Sequence, residues 1–161
     1  MLTGVSRVLT LIAAIGAGLS GGVFLAFSGF VMAAVRRLPD RQGLAAMNEI
    51  NRQAPKDPIF MLALFGTGAL VIALGIQALR QLSHPASKYQ LAGAALLLVC
   101  IAVTAVYHVP RNNALLLVDP DSPIAPSQWA AYAPAWVAWN HVRTVACLAS
   151  ATSFSLALTA R

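Results

Sequence analysis

Four stretches of the chain, 8–35, 58–79, 89–110 and 144–160, are almost wholly apolar and carry no charged residue. A hydrocarbon core about 30 Å thick is crossed by roughly 20 apolar helical residues, so each stretch is a candidate membrane span. The third ends in His108 and Pro110. The fourth is slightly short and takes length from the residues before it, which sets its bounds at 140–160. None of the four alternates apolar with polar positions as a barrel strand would, and lipid admits only helices or closed barrels. The pattern predicts an all-α fold: an integral membrane bundle of four transmembrane helices, with both longer loops, 36–57 and the one after the third span, on the same side.

Composition agrees with this reading. Of the 161 residues 58% are hydrophobic and 10% charged, and mean hydropathy is +0.72, which excludes an ordinary soluble domain. The whole chain, 1–161, reads as one membrane domain in contact with lipid. The first apolar stretch is much longer than the roughly 7–15 residues of a signal-peptide core and stops at Arg36 and Arg37, so it is expected to be a retained helix. Cys100 and Cys147 fall inside spans, in no metal-like or redox-like spacing, and read as packing residues. The net charge of +6 does not point to nucleic acid, because the cations sit at span ends where headgroups meet them. Four Lys and Arg lie on the side of the termini and seven on the side of the long loops, which leans toward cytoplasmic long loops. All five acids lie on the long-loop side as well, so orientation is left open. The expected location is a multi-pass protein of the bacterial inner membrane.

Small residues recur at one-turn spacing in the first span: Gly16 and Ser20, Gly18 and Gly22, then Ala26. Such a face lets helices approach closely in lipid. A helix of the same chain is the expected partner, with a second copy, hence a homo-oligomer, as the other candidate.

Chemistry concentrates in the loops. Loop one predicts a helix started by Pro39 and Asp40 and ended before Pro55, with Leu44, Met47 and Ile50 on one side and Asn48 and Asn51 beside them. Taken alone it reads as a solvated helix on the membrane surface. Span three closes on Tyr107, His108, Val109, Pro110, Arg111, Asn112 and Asn113, where proline is expected to bend or end the helix. Ser127 reads as the N-cap of a further helix that Pro134 would kink. Along that helix Tyr132, Trp136, Asn140 and Arg143 share a face, flanked by Trp139 and His141. An aromatic belt explains the rings. An amide, an imidazole and a guanidinium at the head of a span point equally to a pocket.

The runs Val109-Pro110-Arg111-Asn112-Asn113-Ala114-Leu115 and Trp136-Val137-Ala138-Trp139-Asn140-His141-Val142-Arg143-Thr144 resemble the two signature stretches of the anthrone-oxygenase-like membrane proteins. Asn51 resembles that family's loop-one asparagine. The chain departs from the family pattern at His108, where asparagine is usual, and at Arg111, where an apolar residue is usual. The resemblance implies a four-span fold and a cofactor-independent oxygenase acting with dioxygen on an anthrone or related polycyclic phenol.

An anthrone anion is electron-rich enough to react with dioxygen, so such a site needs a base, donors for an oxyanion and an aromatic slot. His141 or His108 is the candidate base. Asn140, Arg143 and Asn112 are candidate oxyanion donors; Trp136 and Trp139 are candidates to stack on the substrate, and Asn113, Asn51 and Tyr132 to line its site. A second reading makes His108 and His141 axial ligands of a haem. A third is a non-catalytic membrane scaffold.

Overall fold

A computed structural model describes residues 4–160. Its elements are α1 (Gly4–Val35), α2 (Asp40–Gln53), α3 (Pro58–Leu79), α4 (Pro85–Leu116) and α5 (Ala125–Thr159). The helices α1, α3, α4 and α5 are long and apolar enough to cross a bilayer, and no strand occurs among the described residues. The bundle is the all-α membrane fold that the charge-free runs predict.

α1 and α4 pack along α5, and α3 packs chiefly against α4 and α1. Small residues set these approaches: a Cβ on Gly93 would lie 2.9 Å from the Phe154 ring, and one on Gly21 2.8 Å from Leu148. The apolar core joins Ala13, Ala17, Phe24, Leu64, Leu74, Leu97, Cys147 and Phe154. Both cysteines are free and buried there, as packing residues. At the end away from the long loops the Gln90 amide donates to Thr10 Oγ1 at 2.8 Å and Ser6 Oγ at 3.4 Å, a polar tie between α1 and α4.

α2 has the bounds foreseen in loop one, but it does not lie solvated on the membrane surface. Gly43, Leu44, Met47, Asn48 and Asn51 are buried. Leu44 and Met47 join a second core with Met32, Leu115, Trp129, Tyr132 and Trp136. The helix therefore closes the bundle mouth like a plate, with only its far face wet. On that face the Gln53 amide, donating to Glu49 at 2.5 Å, and then Arg52 hold the Glu49 carboxyl below its usual range. An exposed Arg41–Asp121 ion pair at 2.5 Å joins α2 to the segment between α4 and α5.

Two local expectations need correction. Pro110 does not end the third long helix, for α4 continues to Leu116. The proline opens the α-helical segment Val109–Leu116 after a π-helical turn, where a missing N–H costs least. Ser127 is not the N-cap of α5: the helix begins at Ala125 and Ser127 Oγ donates back to the Ile124 carbonyl at 2.8 Å. Pro134 lies on an exposed face within the continuous helix α5.

Candidate functional site

π-helical turns interrupt three of the four spans: Phe27–Val31 in α1, Leu62–Gly66 in α3 and Thr104–His108 in α4. An extra residue in a turn re-aims the side chains around it, and such turns gather at functional sites. Here each contributes to the wall of one cavity of about 700 Å³ at the loop end of the bundle: Phe27 from the first, Leu64 and Phe65 from the second, Thr104 and His108 from the third. α5 adds Trp136 and Arg143, and α2 adds Met47, Ile50 and Asn51 as a roof. The size and apolar lining suit a small organic ligand.

Arg143 is 5% exposed and sits between rings, its guanidinium carbon 4.2 Å from the Phe24 centroid and 5.5 Å from that of Trp136. Nη2 donates to Asn140 Oδ1 at 2.5 Å and Nη1 reaches Thr104 Oγ1 at 3.4 Å, whereas Nε is buried without a partner. No carboxylate pairs with it; the ion pairs among the described residues are the exposed ones at Arg41 and Arg52. A cation held in a protein interior without a counter-ion costs several kcal/mol, so an anion entering this cavity meets an unsatisfied charge.

His108 is 1% exposed, and neither ring nitrogen has a hydrogen-bond partner. Its ring stands edge-on to Trp136 at 5.1 Å. Asn112 Oδ1 accepts from the Tyr132 hydroxyl at 2.7 Å and from Trp136 Nε1 at 3.1 Å, which fixes the amide and leaves Nδ2 free to donate. Asn51 Nδ2 and Ser20 Oγ are likewise buried without partners on the cavity wall. Orphaned buried polar atoms are rare in folded proteins, and here four residues with such atoms, His108, Arg143, Asn51 and Ser20, line one chamber.

Five of the residues singled out in the sequence therefore meet at the cavity: Arg143, His108, Trp136, Asn112 and Asn51. Asn140 and Tyr132 stand behind the wall. Asn140 is fully buried, donates from Nδ2 to Phe24 O and Ser28 Oγ, and accepts from Arg143, so it positions the guanidinium against α1. The other three lie elsewhere. His141 and Asn113 are exposed, and Trp139, 42% exposed, packs on Tyr107 at 4.8 Å, with Arg111 over the same ring. This outer cluster has the character of an aromatic belt. His108 lines the cavity, whereas His141 lies on an exposed face. No group of three metal-ligating side chains occurs among the described residues.

Sequence reasoning missed Ser20, Phe24, Phe27, Phe60 and Thr104 as lining residues. Thr104, His108 and Asn112 stand four apart, a signal that one face of span three was polar. The aromatic residues of α1 carried no such mark, because an apolar side chain in a span is the default.

The anthrone oxygenase family model matches residues 60–153. No curated protein and no solved structure matches. The matched segment runs from α3 into α5 and contains Thr104, His108, Asn112, Trp136 and Arg143, leaving α1, α2 and residues 54–59 to supply the rest of the wall. Since it covers more than half of the chain, the protein belongs to the anthrone oxygenase family.

Proposed function

We propose that the protein is a membrane oxygenase that converts an anthrone-like polycyclic phenol to the corresponding quinone with dioxygen, using no metal, flavin or haem. The observation that carries this reading is Arg143: a buried guanidinium without a carboxylate partner, on the wall of an aromatic-lined cavity that also holds an unpartnered imidazole. Such a cation favours the anionic form of a bound acid, and the aromatic walls favour a flat ring system.

His108 takes a proton from the methylene carbon opposite the substrate carbonyl, and the electron pair delocalises onto the carbonyl oxygen as an oxyanion. Arg143, with Asn112 Nδ2 beside it, holds that oxyanion. Dioxygen accepts one electron from the anion, and the resulting radical and superoxide combine to form the carbon–oxygen bond. The peroxide takes up the proton held by His108. Loss of the second methylene hydrogen then breaks the O–O bond, forming a second carbonyl and releasing water. One dioxygen is consumed for each quinone and each water formed, and four electrons pass from carbon to oxygen.

Purified protein in lipid nanodiscs, given 1,8-dihydroxyanthrone, is expected to take up oxygen and form quinone in equal amounts. Arg143→Ala should lower kcat by roughly a hundredfold or more per folded molecule, the scale seen when a preorganised oxyanion donor is removed. Unchanged turnover in that variant, a Soret band in the purified protein, or inhibition by a chelator would overturn the reading.

A further inference from the structure

One side of the cavity wall is built from residues that are also exposed on the bundle surface. Between α1 and α3 its lining residues are themselves outward-facing: Leu19 is 56% exposed, Val23 40%, Ile59 76% and Phe65 42%. All four belong to helices long and apolar enough to cross a bilayer, in which outward surface would meet lipid. From Ile59 to Phe65 this window of exposed lining extends along α3 by about 9 Å at 1.5 Å per residue. Phe60 stands behind it, edge-on to Phe24 with ring centroids 6.1 Å apart. A smaller recess lies beside the cavity under α2, where Gln53, Lys56 and Asp57 face water; it shares Phe27, Ile50, Ala54 and Asp57 with the cavity wall.

The two openings select different molecules. A permanently charged ligand would pass the window only by leaving water for hydrocarbon, at a cost of about 2.5–3.5 kcal/mol or more per charge near the bilayer centre. A neutral aromatic acid is already concentrated in the lipid. Inside, it meets what the lipid lacks: the Arg143 cation, the His108 imidazole, and the Asn51 and Ser20 groups without partners. The site thus joins an apolar entrance to a chamber that favours an anion.

We infer that the substrate is an uncharged, membrane-dissolved aromatic acid that enters sideways from the bilayer through the window between α1 and α3 and is ionised only after it is inside. This rests on the proposed function for the nature of the site, and extends it to the form of the substrate and its route.

The test is anaerobic binding, which separates entry from turnover. Quenching of tryptophan fluorescence by 1,8-dihydroxyanthrone is followed by stopped flow in nanodiscs, with an anthrone sulfonate as the charged comparator. Val23→Trp and Ile59→Trp place bulk on lipid-exposed positions, where folding is not challenged. Each should slow association and dissociation together by roughly tenfold, leaving Kd within roughly threefold, because a blocked passage raises the barrier in both directions. Lys56→Trp, at the wet recess, should leave both rates unchanged, and the sulfonate should not bind. Wild-type rates in both window variants, slowing by Lys56→Trp alone, or sulfonate binding as fast as the neutral probe would overturn the lateral route. If binding depends on the window as described but admitted air yields no quinone, lateral entry stands and the oxygenase reading falls.

Discussion

Two of the polar side chains on the cavity wall are held by hydrogen bonds with neighbouring side chains. Asn140 holds Arg143, while Tyr132 and Trp136 hold Asn112. His108 has no such tether, as Asn51 Nδ2 and Ser20 Oγ have none, and its ring packs edge-on against Trp136 and Tyr107. That makes a sharp comparison between the two histidines raised by the sequence. His108→Ala should lower anthrone oxidation by roughly the 10²–10⁴-fold attributed to a positioned base, whereas His141→Ala, on an exposed face, should leave turnover unchanged. Equal losses in both, measured as oxygen uptake per folded molecule, would mean that proton transfer runs outside the cavity. Arg143, Asn140 and Trp136 were legible in the sequence because polar and aromatic residues at offsets of four and three declare a helix face. His141, Asn113 and Trp139 were not separable from them: adjacency in sequence places residues about 100° apart on a helix, and only the neighbours' positions decide which direction is inward.

Among the elements, α2 shows what sequence pattern settles and what it leaves open. Pro39, Asp40 and Pro55 bound the helix, and Leu44, Met47 and Ile50 mark its apolar side. That stripe fits a lipid surface as well as a protein one, since both remove apolar area from water. The deciding residue is Gly43, where a Cβ would fall 3.0 Å from Trp129 Nε1 and 3.1 Å from the Val35 carbonyl oxygen. Its bareness permits direct docking on α5 and the end of α1. Gly43→Leu should undock the roof, lowering the melting temperature through an overpacking cost of about 1–3 kcal/mol and opening the 36–57 segment to protease, while the four spans stay folded. A variant as protease-resistant as wild type would show that α2 is anchored elsewhere. The π-helical turns were not legible at all. No residue type demands them, and their one-residue insertions follow from how three helices pack around a shared chamber.

At the level of the whole molecule, the small-residue pattern of α1 is divided between two surroundings. Gly16 faces Thr67 of α3 and Gly21 faces Leu148 and Cys147 of α5, so these serve packing within the chain. Gly22, one position on, has nothing within 4 Å of its would-be Cβ and faces outward. The sequence shows both as glycines in one apolar run; which of them meets a helix depends on where α5 passes. Gly21→Leu should therefore destabilise the bundle, by about 1–3 kcal/mol or more because the clash is with a buried neighbouring helix. Gly22→Leu should change the melting temperature of the detergent-purified monomer little, within about 0.5 kcal/mol of wild type, as at other exposed positions. The same pair of variants also reads out self-association. Should Gly22→Leu leave monomer stability intact yet shift the protein from dimer to monomer in nanodiscs, the outward glycine is a contact between copies; should the distribution stay as in wild type, the small-residue face of α1 is used wholly inside one chain.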